Sequence, residues 1–213
     1  MIIPITLIGA IILMDKYAIG EFGISQPIIS GTIIGALCGD IKTGILIGSL
    51  FQLLFLANLP IGKDVPPDAQ AGSIAGCGSY FIQKLIYQIE PNLMMVFLVG
   101  ILGSILGNFF DVLVRRTNEQ LYYLFLRDKR KLIIYHLLGI LTSFFRGFIL
   151  FLFIFSIISM IKFPPGIKGL NKEILVLIII ALGIANGIYL YLRKPAIYFF
   201  FAGVICALIF FIF

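Results

Sequence analysis

The second half of the chain holds four apolar runs, each about as long as a bilayer is thick: Leu93 to Phe110, Leu132 to Ile161, Ile174 to Leu192 and Ala196 to Phe213. A straight helix crossing about 30 Å of hydrocarbon needs roughly 20 such residues. Runs of that length leave a helix no polar face to turn towards water. The composition points the same way, because 61% of the residues are hydrophobic and only 12% charged, with a mean hydropathy of +1.11. A disordered chain, a disulfide-stapled secreted module and an ordinary cytosolic enzyme all need more polar surface or more cysteine than this. The expected fold is all-α, a polytopic integral membrane protein forming a single transmembrane domain over residues 1–213.

The first half reads differently. Its apolar segments, Ile2 to Met14, Ile24 to Cys38, Gly44 to Leu59 and Ser73 to Ile82, are short, rich in Gly and separated by brief polar joints. Such segments are either short tilted spans or broken and re-entrant helices, which transporters use to bring free backbone groups to a polar solute. The stretch Pro60-Ile61-Gly62-Lys63-Asp64-Val65-Pro66-Pro67-Asp68 favours the second form. A Pro-Pro pair cannot continue a helix, and an irregular charged stretch at membrane depth must line a cavity or pack on protein. Residues 1–90 are therefore expected to be a broken-helix, substrate-path region, and residues 91–213 a region of transmembrane helices.

The formal net charge of +6 has a local origin. Arg115, Arg116, Arg127, Lys129, Arg130 and Lys131 crowd between two apolar runs, which marks a cytoplasmic loop rather than a surface for nucleic acid. With Leu132 to Ile161 crossing once, the Lys162 to Glu173 loop lies outside, Arg193-Lys194 returns to the cytoplasmic face, and Phe213 lies outside. A hairpin broken near Arg146 would invert that order. The run Ile2 to Met14 lacks a basic residue before it and an A-x-A-like site after it, so it is expected to belong to the mature fold. Cys38, Cys77 and Cys206 have unrelated spacings and form neither a C-x-x-C pair nor a metal cluster.

No enzyme constellation is visible. His136 is the one histidine, too few for a His-based metal site or a Ser/His/Asp triad. It reads as an interfacial structural residue or a proton relay. Gly39-Asp40-Ile41-Lys42-Thr43-Gly44 lacks phosphate-loop spacing and reads as a polar joint. No cofactor and no metal are expected. Polar groups inside apolar segments are better guides, since burying them is costly unless they are partnered. Gln52 and Asn58 lie in Gly44 to Leu59, with Asp64 and Asp68 in the Pro-rich loop beyond. Amides and carboxylates together offer the donors and acceptors that bind sugar hydroxyls, although Gln52 and Asn58 could equally bond to neighbouring helices and Lys63 neutralise a carboxylate. Small residues recur four apart at Gly31, Gly35 and Gly39, at Gly44 and Gly48, at Gly72 and Gly76, at Gly103 and Gly107, and at Gly183 and Gly187. These are expected to be helix contacts.

The run from Phe22 through Gln26-Pro27, Gly39-Asp40-Ile41-Lys42-Thr43-Gly44, Gly48, Gln52, Ile61-Gly62 and Pro66-Pro67-Asp68 resembles the membrane permease subunit IIC of the mannose/fructose/sorbose family of the bacterial sugar phosphotransferase system. Weaker similarity extends through Val114-Arg115, His136 and Arg146 to Phe199-Phe200 and Gly203. The resemblance implies a sugar-conducting, non-enzymatic subunit in the bacterial cytoplasmic membrane. It also implies a IID-type membrane partner, with soluble IIA and IIB subunits relaying phosphate to the incoming sugar. It places Gln52, Pro66, Pro67 and Asp68 in the region of the sugar path, with Asn58 and Asp64 as further candidates. Lys63-Asp64 stands where the family usually has small residues, the Ile161 to Glu173 loop is compressed, and the chain is shorter than the family leads one to expect. A shortened, non-transporting regulatory or scaffold homologue is the alternative.

Overall fold

A computed structural model of the chain describes residues 1–56, 67–164 and 172–191, and its elements are all helical. They are α1 (Ile2–Met14), a π-helical turn (Asp15–Ile19), α2 (Pro27–Leu37), α3 (Ile41–Leu54), α4 (Ala69–Tyr87), α5 (Leu93–Arg127), a 3-10 turn (Lys129–Lys131), α6 (Leu132–Met160) and α7 (Lys172–Tyr191). Asn58, Asp64, Pro66, Cys206 and the run Ala196 to Phe213 lie outside the described residues.

The helix at the centre is α4. Every residue from Ala71 to Gln83 is buried, and α1, α2, α3, α5 and α6 all pack on it. A helix surrounded in this way cannot carry large side chains on all faces, and its sequence is accordingly Gly-, Ala- and Ser-rich. Gly72 abuts the Gly100 carbonyl of α5, while the Phe51 ring of α3 fills a slot between Gly76 and Gly100. On the opposite face the Phe155 ring of α6 lies over Gly78. The apolar run alone suggested Ser73 to Ile82, half the length of a span. The helix is 19 residues long because Asp68 caps its start and Gln83 and Lys84 continue it past the apolar run.

Buried Gln83 is satisfied at the far end of α6. Its amide donates to the carbonyls of Ile158 and Ile161, at 2.6 and 2.7 Å, and its oxygen accepts from the Phe163 N–H at 3.1 Å. The last carbonyls of a helix have no intrahelical partner, so one side chain of α4 closes the end of α6.

α2 and α3 form a close antiparallel pair. A Cβ on Gly31 would stand 2.8 Å from the Gly44 oxygen and the Gly48 Cα, and one on Gly44 would stand 2.7 Å from the Gly35 Cα. Both of these glycine pairs are helix contacts, as their spacing leads one to expect. Gly39 is the exception: it has φ +79 and nothing near its missing Cβ, so it ends α2 in the left-handed conformation rather than packing. Asp40 follows and caps α3, accepting from the Thr43 N–H at 3.1 Å, the Thr43 hydroxyl at 2.9 Å and the Lys84 ammonium at 3.1 Å. The Thr43 hydrogen bonds, helped by Lys84, hold the Asp40 carboxyl below the usual carboxylate range.

α5 and α6 are long and apolar enough to cross a membrane. At 35 and 29 residues they measure about 52 and 43 Å. α6 is one continuous helix through Arg146, so it is not the hairpin that the lone arginine left open. The basic residues are not in an extended loop either. Arg115, Arg116 and Arg127 lie on α5, which continues well past Phe110, and the link to α6 is only Asp128 and the 3-10 turn. α5 and α6 thus form an antiparallel arm that projects beyond the α4 core.

Replacing Gly44 by Val puts carbon against backbone that cannot step aside, and overpacking of this kind costs about 1–3 kcal/mol. Gly39→Ala meets open space and bears only the strain of positive φ, on the order of 1 kcal/mol. Thermal unfolding in mild detergent is expected to rank Gly44→Val below Gly39→Ala. Equal loss at the two positions would show that the α2–α3 contact is not close-packed.

Candidate functional site

Asp68 stands directly before α4, at the edge of the helical core. Its backbone N–H donates to the Ser104 carbonyl of α5 at 3.0 Å. One carboxylate oxygen, Oδ1, accepts the Ala71 N–H at 3.2 Å, which caps α4. A carboxylate at this position is favoured by the partial positive charge of a helix N-terminus. Oδ2 faces the Arg146 guanidinium of α6 in a direct ion pair, and the Lys16 ammonium lies 3.7 Å from Oδ1.

Arg146 is shared between two carboxylates. Its Nη1 donates to Oδ1 of Asp111 on α5 at 3.1 Å, and Oδ2 of Asp111 accepts from Arg115 Nε, one turn further along α5, at 2.8 Å. The three central side chains are 2–5% exposed. Taking such ions out of water costs several kcal/mol each, and the cost is offset only by close pairing with the remaining protons and lone pairs satisfied. Lys16 and Arg115, at 22% and 59% exposure, add positive charge from the two rims. Gly107 makes room for the arrangement, since a Cβ there would stand 2.5 Å from the Ala71 Cβ and 3.2 Å from the Asp68 Cβ. The cluster thereby pins the start of the π-helical turn, the start of α4, the middle of α5 and the middle of α6 to one point.

Amides with unsatisfied oxygens lie at the same end of the bundle. Gln52 is in the last turn of α3, one residue after Phe51 and three before Phe55, whose ring lies against Gly72 in the first turn of α4. Gln70 is in that first turn. The side-chain oxygens of both Gln52 and Gln70 are buried without a hydrogen-bond partner among the described residues. An unpartnered buried carbonyl costs about 1–3 kcal/mol, so these two adjoining helix ends form the candidate place for a hydrogen-bond donor. α7 closes the end of α3: Asn186 donates to the Leu54 carbonyl at 3.2 Å, and Gly183 admits Leu53.

Among the residues anticipated from the sequence, Gln52 and Asp68 are both at this end, and exposed Pro67 directly precedes the Asp68 cap. Asp68 is engaged on both oxygens by protein groups and not turned into an open cavity. The sequence reading did not single out Asp111, Gln70 or Asn186. Two charges at i and i+4, Asp111 and Arg115, opposite a lone Arg146 in an apolar run, were a legible sign of the ion cluster. His136 is exposed on α6, away from the cluster.

Arg146→Met leaves two buried carboxylates facing each other and is expected to destabilise the fold by about 3–5 kcal/mol. Arg146→Met combined with Asp111→Asn should cost clearly less than the sum of the single changes, because the second change removes a stranded charge. Unfolding midpoints of the three variants check this; simple additivity would mean that the groups do not interact.

Comparison with known proteins places this geometry. Over 54 residues the chain is 43% identical to the mannose-specific EIIC component of the phosphotransferase system of Escherichia coli K12, a match covering 25% of this chain and 20% of that protein. The matched part is thus about a fifth of the length of the curated relatives. A solved structure described as that of a membrane protein superposes with a TM-score of 0.75, at 21% identity, covering 97% of this chain and 85% of the other. A mannose transporter ManYZ, solved by cryo-electron microscopy in complex with microcin E492, gives 0.58 at the same identity and coverage. These two establish a shared fold. The sequence profile described as the sorbose-specific IIC component of the phosphotransferase system matches residues 1–212, and the chain belongs to that family.

Proposed function

We propose that the chain is the membrane permease subunit of a phosphoenolpyruvate-dependent sugar phosphotransferase system, passing a hexose-type sugar of the mannose/fructose/sorbose class. It catalyses no phosphoryl transfer itself; IIA and IIB subunits supply the phosphate, and a IID-type membrane subunit completes the sugar path. It is a multi-pass protein of the bacterial cytoplasmic membrane. The observation that carries this reading is the pair of buried amide oxygens, Gln52 and Gln70, that have no hydrogen-bond partner among the described residues, on helix ends either side of residues 57–66.

Sugar hydroxyls are the donors those oxygens lack. Gln52 and Gln70 accept from the sugar, Asn58 and Asp64 of the loop are additional partners, and Pro66-Pro67 fixes the chain's course into α4. Asp68 holds the base of that loop through Arg146 and bears on the sugar from behind. The basic arm supports a cytoplasmic position for this end of the bundle, where a phosphorylating partner can reach the sugar. α7 runs parallel to α3, since Gly183 meets Leu53 and Gly187 meets Leu56. This supports the Lys162 to Glu173 loop being outside and Arg193-Lys194 inside.

Gln52→Leu should weaken sugar binding about tenfold, the equivalent of about 1.4 kcal/mol for one hydrogen bond to a buried acceptor, without lowering the unfolding temperature. Sugar binding and melting measured on the same purified complex test this, beside uptake and phosphorylation in cells carrying all subunits. Reduced melting with unchanged affinity would make Gln52 a packing residue. A complex that assembles but moves no sugar would leave the scaffold reading.

A further inference from the structure

The arm formed by the second half of α5 and the first half of α6 takes no part in the sugar site, yet it contains two adjoining cavities, one mostly apolar with a few polar side chains and one wholly apolar. One, of about 300 Å³, lies between the two helices and is lined by Asn118, Tyr122, Tyr135 and His136 with Ala18 of the π-helical turn. The other, of about 500 Å³, has an apolar lining that includes Met14, Leu137, Leu141 and Phe144. Ile140 borders both, and Met14 and Ala18 carry the end of α1 across between them.

Basic groups adjoin the first cavity in sequence. Leu132, in its lining, directly follows the 3-10 turn Lys129–Lys131, and Lys131 and Tyr135 are close enough to interact electrostatically. Asp128 neutralises Lys131 at 3.1 Å, and Asp111 takes Arg115. Arg116, Arg127, Lys129 and Arg130 have no ion-pair partner among the described residues. Within the cavity, Tyr122 and His136 make no hydrogen bond among the described residues, and Asn118 uses only its oxygen, accepting from Thr142 at 3.3 Å. Uncompensated positive charge beside polar side chains with unused hydrogen-bonding groups calls for an anion. An apolar trough continuing from the same place calls for hydrocarbon attached to it.

We propose that the α5–α6 arm binds one anionic phospholipid, its phosphate among Asn118, Tyr122, His136 and the basic turn, and an acyl chain along Leu137, Leu141 and Phe144. A free phosphate satisfies the first cavity and leaves the second empty, whereas a zwitterionic lipid fills the second and brings no net charge to the first. Juxtamembrane basic residues attract anionic lipid in this way, each charge contributing about fivefold in affinity. This inference rests on the membrane-permease reading, because only in a bilayer does the arm meet lipid headgroups.

The test uses the purified, delipidated complex with its membrane partner, titrated with phosphatidylglycerol or phosphatidylcholine and read by native mass spectrometry. The expected result is at least a tenfold preference for phosphatidylglycerol. Lys129→Gln with Arg130→Gln should lower that affinity more than tenfold, while Lys162→Gln, an exposed lysine beyond the other end of α6, leaves it unchanged. Equal binding of the two lipids, or indifference to the double change, overturns the proposal. Displacement by millimolar inorganic phosphate overturns it in favour of a simple anion site, and exclusion of lipid by a protein seated on the arm overturns it in favour of a subunit interface. Alkaline carbonate extraction separates the two readings. A chain stripped from membranes by carbonate defeats the permease reading, and one that stays in the membrane without lipid preference defeats only this one.

Discussion

A single guanidinium, that of Arg146, holds the fold at the point where its separate parts meet. It is almost wholly buried and bonded to carboxylates that arrive from two other helices, Asp68 at the start of α4 and Asp111 on α5. A buried ion pair is weak evidence for net stability, because a well-packed apolar substitute often does as well. What the arrangement supplies is specificity of position. An arginine presents its donors in a rigid planar fork, so two carboxylates on it fix the rotation of three helices about their own axes. Any slip of α4 along α5 by one turn would strand the Asp68 carboxylate in an apolar interior.

That constraint accounts for the small residues around it. With α4 held at one end by Asp68 and at the other by Gln83, its middle must lie close to five neighbouring helices. Close approach without large side chains is obtained by giving one helix of each contact a glycine: Gly72 and Gly76 towards α5 and α3, Gly78 towards α6, Gly103 and Gly107 towards α4. Large rings then enter from the partner side, Phe51 between α4 and α5 and Phe155 over Gly78. Packing between helices in a membrane has little hydrophobic driving force, and contact of this closeness is what replaces it.

Much of this could be read from the residues. The all-helical character, the positions of the apolar segments and the use of most glycine stripes as helix contacts followed from hydropathy and spacing, as did Gln52 and Asp68 as polar residues of interest. The errors share a cause: apolarity was used to set helix ends. α4 was cut short at Ile82 because Gln83 is polar, and the partners of that amide are 75 and 78 residues away on α6. α5 was ended at Phe110 because Asp111 follows, although Asp111 and Arg115 are i,i+4 neighbours that continue a helix well. The unpartnered oxygen of Gln70 had no sequence signal, since nothing in a single amide announces that its surroundings lack a donor.

The positive charges of the buried cluster and of the α5–α6 arm have different physical jobs, and both lie towards the same end of the bundle. Arg146 is desolvated and paired with two carboxylates, so its charge acts mainly inside the cluster. The residues of the arm are solvated and mostly unmatched, so their field extends outwards by about a Debye length of 8–10 Å. A charge that orients a chain in a bilayer has to be of the second kind, and one that sets helix register has to be of the first. Arg115 lies between the two: its Nε is bound to Asp111 at 2.8 Å while its side chain is more than half exposed. Through that residue the geometry of the buried cluster and the position of the arm are coupled. A displacement of α5 along its axis would have to break a buried ion pair before it could move the basic turn, and the base of the loop at Asp68 would move with it.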